Sequence, residues 1–392
     1  MSNGFFTLSS RFAILVLCIF LLVSCTTADR YETGIRRFER AVPSTVALFA
    51  AQRDAWIAWA GDLSAPDLHV QPIGATQAWT FPISGAPTDL HLLPLAERRL
   101  ALLWLERSAG GAPSLQVATL ESDGTLRRAP FEIGAAQRYT ALPTPTGSIL
   151  TFLINAESLS IGLLDRLGRP YGTVRVAEAA HMAAAALDRR DQLHVTWLAP
   201  SDGALWQLLY LSFDLRLLDQ SAPRLPAPTL LAVLRLAEGE YIESLSAGAD
   251  PERLYILWNL VNVGRESESA RLEGLSFPLE SPLRSRQLDV SALPANLRQI
   301  SLLSTDQAQG GAPTLVGRLA DRKIVFGALA EQGVFRVQQV RAAAEGEVLS
   351  NVIAALSPNN ALHLAWIVQN QQGRAALRYA AFPRPQPAVA PR

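Results

Sequence analysis

Gln192-Leu193-His194-Val195-Thr196-Trp197 returns near the end of the chain as Ala361-Leu362-His363-Leu364-Ala365-Trp366. Each run is largely apolar on both faces, with histidine third and tryptophan last. A short run of this kind, bounded by turn residues, fits a strand buried between two sheets. Three further segments share the pattern: Ala55-Trp56-Ile57-Ala58-Trp59, Leu100-Ala101-Leu102-Leu103-Trp104 and Leu254-Tyr255-Ile256-Leu257-Trp258. Ile149-Leu150-Thr151-Phe152 and Thr314-Leu315-Val316-Gly317 are weaker copies. That makes seven, with final residues spaced 45 to 61 apart.

The surroundings repeat too. Ala185-Ala186-Leu187-Asp188, Ala354-Ala355-Leu356-Ser357 and Thr140-Ala141-Leu142-Pro143 each precede a copy as a first short strand. A third strand follows a polar turn, as in 205–213 after Ser201-Asp202-Gly203 and in 374–381 after Gln371-Gln372-Gly373. A fourth often comes next, as in 334–340 and 173–176. Four strands per unit of this length is the size of a propeller blade. The predicted fold is therefore all-β, a seven-bladed β-propeller of four-stranded antiparallel blades, with six or eight blades as alternatives. A sheet apolar on both faces must be covered on both, and stacking the units in a closed ring does that. The alanines at 183–186 and 354–355 suit the crowded centre. Trp59, Trp104, Trp197, Trp258 and Trp366 suit the space between blades.

Three segments need separate readings. The run 230–236 falls in the longest interval and reads as two turns of helix in an inter-blade insertion. The last unit has three clear strands, and 34–40 (Gly34-Ile35-Arg36-Arg37-Phe38-Glu39-Arg40) is similar in character to 335–341. It is expected to supply the missing outer strand from the other end of the chain, giving a propeller over 34–382. Residues 383–392 form a Pro-rich tail, expected to be disordered.

The N-terminus carries an export layout. Arg11 is followed by an unbroken apolar run from Phe12 to Val23, too short to span a hydrocarbon core of about 30 Å. The run ends in Leu22-Val23-Ser24-Cys25, which resembles the lipobox of bacterial lipoproteins. That resemblance implies diacylglyceryl attachment to Cys25, cleavage before it and acylation of the new amino end. Residues 1–25 are then the lipoprotein signal with its lipidated cysteine, and 26–33 a tether. Two or more acyl chains give stable attachment where one gives only marginal binding. The chain has two cysteines, Cys18 and Cys25. The first would leave with the signal and the second carry lipid, so the core alone must hold the exported body together. Localisation is expected at the outer face of the cell membrane, or at the outer membrane if the cell has two.

Formal net charge is zero, with 35 basic and 35 acidic residues and no basic stripe, which argues against nucleic acid as a partner. His194 and His363 occupy one place in the repeat, so they read as strand features. His69 sits in another apparent strand, 68–73. No metal spacing or cofactor motif is present, and no cofactor, metal or catalytic residue is assigned. Ser122-Asp123-Gly124-Thr125 and Ser201-Asp202-Gly203 read as hairpin turns needing positive φ. They resemble the Asp-box of sialidase-type propellers only in part, since the tryptophan step is wrong.

The propeller resemblance implies that ligands meet the mouth of the central channel, where first strands begin. The residues there are His91, Arg138, Tyr139, His181, Tyr241, Glu243, Arg298, Gln299 and Asn351. The functional expectation is a membrane-anchored extracytoplasmic binding protein with a protein or glycan partner. One alternative is a sialidase-like or other glycoside hydrolase built on Arg138, Arg298, Tyr241 and Glu243. A second is an assembly scaffold lipoprotein.

Overall fold

The computed structural model describes residues 36–38, 45–51, 54–61, 67–107, 111–156, 158–264, 268–304, 311–320, 322–330 and 333–385. The signal, Cys25 and the tether lie outside them, as do residues 386–392. Among the described residues the chain forms seven four-stranded antiparallel sheets, each wound from an inner strand outward. The fold is a seven-bladed β-propeller.

The inner strands are Val46–Ala50, Ala86–Pro94, Arg138–Pro143, Met182–Leu187, Glu240–Ala249, Arg298–Leu303 and Glu347–Leu356, in blades 1 to 7. The seven repeated segments are the second strands. Every residue of Ala55–Ala60 is buried, and only Arg107 is exposed in Leu100–Arg107. Such strands carry apolar side chains on both faces because a neighbouring blade covers each face. The hydrophobic core divides accordingly into seven clusters, each shared by two adjacent blades. One joins Trp59 and Leu48 of blade 1 to Ile367 and Tyr379 of blade 7, so the ring is closed. All five repeat tryptophans are buried in these seams; truncating one to alanine would cost about 3–5 kcal/mol.

Each inner strand runs from one face of the ring, here called the rim, to the opposite face, where a turn leads into the second strand; in blade 6 that link spans 304–313, with 305–310 outside the described residues. We call that opposite face the turn face. Short polar side chains nucleate these turns by accepting backbone N–H groups. Asp188 Oδ1 accepts from Arg190 and Gln192, Thr144 Oγ1 from Ser148 and Ser357 Oγ from Ala361. The repeated histidines brace the same blades. His194 Nδ1 lies 2.8 Å from the Tyr210 hydroxyl and its Nε2 3.5 Å from Asp188, and His363 Nδ1 lies 2.6 Å from the Tyr379 hydroxyl.

The outer strand of blade 7 is Arg36–Phe38, pairing Arg36 with Tyr379 and Phe38 with Leu377. Both ends of the chain thus share one sheet. Of the seven residues expected there, 34–35 and 39–40 lie outside the described residues. The expectation of helix at 230–236 is corrected: Thr229–Arg235 is the outer strand of blade 4, paired with Leu205–Asp214. Its apolar residues are half exposed on a sheet edge, which blurs the alternation that marks a strand. At the other terminus the third strand of blade 7 runs to Pro383, and Arg384 is buried against Thr314 and Asn360. Gly124, at φ +89°, closes the Asp-Gly turn of blade 2, where Asp123 accepts from Thr125, and it sits face-on to Trp79.

Candidate functional site

Four of the seven inner strands break register near the rim. In blades 2, 5, 6 and 7 one extra residue is inserted opposite the second strand: at 89–90, 243, 299–300 and 350–351. Each bulge releases a side chain from the alternation of the sheet. Such bulges are common beside functional sites because they re-aim side chains. Asp89 and Gln299 occupy the equivalent bulge position, both at φ 50°. A non-glycine residue in that region costs about 1 kcal/mol, which packing elsewhere must offset.

Blades 5 and 6 meet at the rim through Glu243. Its Oε1 accepts from Arg298 Nε at 2.8 Å and Nη2 at 2.6 Å. Its Oε2 accepts from the Gln299 backbone at 3.0 Å and from Asn259 Nδ2 at 2.8 Å. Arg298 also donates to the Tyr241 hydroxyl at 3.2 Å, and Arg318 to Gln299 Oε1 at 2.9 Å. Burial pushes the Glu243 carboxyl up, but the Arg298 and backbone bonds outweigh it and hold it below its ordinary value. Glu243 is an ionised strut between blades, with both oxygens occupied.

Blades 2 to 4 are assembled differently. The His91 ring lies 4.9 Å from Tyr139, whose hydroxyl reaches the Asp89 and Leu103 carbonyls. Burial lowers His91 to about 4, leaving it neutral at physiological pH. Burial raises the Asp89 carboxyl, partly countered by Arg138. His181 packs 4.9 Å from Trp206 and is lowered by burial and by Arg138. Arg138 is exposed between these groups.

Of the nine residues expected at the mouth, Tyr241, Glu243, Arg298 and Gln299 form one hydrogen-bonded group. His91 and Tyr139 form another, with Arg138 and His181 beside them. Asn351 lies in the blade 7 bulge. Sequence reasoning missed Asp89, Trp206, Arg318 and Asn259. Asn259 had a readable signal, a lone amide inside the apolar run 254–261. Asp89 had none, because a positive φ at aspartate leaves no trace in one sequence.

The channel also holds a cavity of about 830 Å³, displaced toward the turn face. It is lined by the trailing ends of the inner strands and by the turns that follow them.

No family model and no curated protein sequence matches the chain. Similarity appears among solved structures. One is the N-terminal domain of BBS1 in complex with ARL6, soaked with mercury: TM-score 0.52, 10% identity, 89% of this chain and 95% of that one. The lead-soaked form gives 0.51 at 10% identity, covering 91% and 96%. A protein of unknown function from Dyadobacter fermentans gives 0.48 at 10% identity, covering 88% and 98%. At such identity the likeness defines the class of fold, a propeller, and nothing finer.

Proposed function

We propose that this protein is a lipid-anchored, extracytoplasmic binding protein that engages a protein partner at the rim of its propeller. The observation that carries this reading is the shared bulge in four inner strands, two of them holding a non-glycine residue at positive φ. The bulges gather acidic, basic, amide and aromatic side chains around one mouth. A propeller of similar fold was solved in complex with another protein, which accords with a binding role. The anchor rests on Leu22-Val23-Ser24-Cys25. The hydrolase alternative built on Glu243 is disfavoured, because both of that carboxyl's oxygens are committed to Arg298, Gln299 and Asn259.

Two experiments test this. Replacing Cys25 by Ser should move the protein out of the membrane fraction, and firm retention would refute the anchor. For the rim, a photo-crosslinking residue is placed at Tyr241 or Val348, exposed on the rim side, and for comparison at Leu126 or Tyr171 on outer strands near the turn face. Discrete adducts from the rim positions only, weakened by Arg138→Glu, are expected. Adducts from the outer positions alone would overturn the rim as the binding surface.

A further inference from the structure

The cavity in the channel differs in chemistry from the mouth above it. All seven blades line it, through residues such as Leu48, Leu92, Leu142, Ala186, Leu303 and Ala355, and no lining residue is charged. Its hydroxyl groups are already engaged within the protein. Thr144 bonds Ser148 and Thr146, Ser357 bonds Ala361, and Ser304 accepts from the Ala249 backbone. With no charge to pair and a lining dominated by leucine, alanine and proline, the cavity favours an apolar ligand over a charged one. The volume is within the ordinary range of about 300–1,000 Å³ for small-molecule sites.

The direction of the chain says which way this cavity opens. The strand Ala375–Pro383 descends from the rim to the turn face, where the Arg384 backbone donates to the Asn360 carbonyl in the turn after the inner strand. Arg36–Phe38 is antiparallel to it and so climbs toward the rim, with its N-terminal end pointing at the turn face. The eleven residue steps from Cys25 to Arg36 span at most about 40 Å. A lipid on Cys25 would thus tether the protein from the turn-face edge of blade 7 and bring that face, with its uncharged cavity, within reach of the bilayer.

We infer that the central cavity takes the apolar tail of a bilayer lipid, entering from the turn face while the rim points away from the membrane. The inference rests on the anchor proposed above. Lipid tails are as apolar as leucine, so a tail can exchange bilayer for cavity at little cost while it displaces water from the cavity's apolar lining.

The test uses the full lipidated chain in phosphatidylcholine vesicles containing a phospholipid with a diazirine near the end of one acyl chain. After irradiation and digestion, adducts are expected on peptides covering 302–304 and 354–358 as well as on the segment 25–35. Leu303→Glu puts a carboxylate in the lining at a half-buried position. It should cut the cavity adducts at least fivefold and leave those on 25–35 unchanged. Leu142→Gln, with its thermal midpoint measured alongside, guards against a misfolded first variant and should act likewise. Adducts confined to 25–35, or found on rim peptides such as 240–243, would overturn the inference while the anchor stands. A protein that does not float with the vesicles would overturn the anchor itself, and this inference with it.

Discussion

The two mouths of the channel are made from the same seven inner strands, yet they share almost no chemistry. At the rim the strands are bulged in four blades and carry Asp89, His91, Arg138, Glu243, Arg298 and Gln299. At the turn face the same strands are in regular register and end in leucine, alanine and proline over a cavity with no charged lining. The difference teaches where the inner strands can depart from regular pairing. The turn face carries the reversals from first to second strand, and side chains such as Asp188, Thr144 and Ser357 serve those turns. The rim is crossed by connections from blade to blade, which leave its inner-strand residues free to deviate.

The largest expected effect concerns the strand that sets which mouth faces the tether. Among soluble chains beginning after Cys25, every described blade contact is retained. Starting instead at Val42 removes Arg36–Phe38, exposes the edge of blade 7 and should cost about 2–4 kcal/mol, lowering the thermal midpoint by roughly 3–6 °C. Ending at Pro385 should leave the midpoint unchanged. Equal midpoints for all three would show that pairing with Tyr379 and Leu377 contributes nothing to closure.

Next comes the rim. Glu243→Ala strands Asn259, the Gln299 N–H and Arg298 together, at a cost of about 2 kcal/mol in denaturant unfolding. The carboxyl is held below its unfolded value, so its contribution is complete above that value and disappears as pH falls through the lower, folded one. Stability should therefore fall with acid below about pH 4.3, and Glu243→Gln should flatten that fall. A parallel acid profile in the variant would contradict the strut. At the turn face Thr144→Val removes the hydroxyl that bonds Ser148 and Thr146, at a cost of about 1–2 kcal/mol, and should act at any pH.

His91 is read by titration and not by unfolding. Its folded value of about 4 lies below the ordinary 6.5, so the unfolded chain binds more protons between the two. That contribution lowers stability as pH drops through this window. An NMR titration should find the His91 ring neutral at about pH 5.5, one unit below the ordinary value. A midpoint near that ordinary value would mean that the rim is wetter than its packing against Tyr139 implies.

Legibility followed burial. The second strands could be read because they are covered on both faces and end in tryptophan, as in 192–197 and 361–366. The outer strand of blade 7 could be read from the similarity of 34–40 to 335–341, though only Arg36–Phe38 pairs in the described structure. Thr229–Arg235 could not, since a half-exposed edge with four leucine and valine side chains satisfies a helical period equally well. The rim residues were legible as polar positions just ahead of, or at the start of, the small apolar strands. Their division into a Glu243 network and a His91–Tyr139 pair was not, because it depends on bulges that set register. The cavity was hidden for the opposite reason. Leu142 and Leu303 look like core residues in sequence, and only the ring geometry leaves them half-buried at the cavity.

The orientation of the two mouths can be read with one thiol. If the signal is processed as proposed, Cys18 leaves with it and the Cys25 thiol carries the diacylglyceryl group, so an introduced cysteine is the sole reactive one. Asp202→Cys lies in an exposed turn on the rim side of blade 4. Gly74→Cys lies in an exposed turn on the turn face of blade 1, where a Cβ meets no atom within 4 Å. The full chain in vesicles is treated with a polymer-linked maleimide too bulky to approach a membrane-apposed surface. The Asp202→Cys variant should be labelled at least tenfold faster than the Gly74→Cys variant, and the two rates should converge when the vesicles are dissolved in detergent. Equal rates in the intact vesicles, or faster labelling of the turn face, would contradict a rim that points away from the membrane.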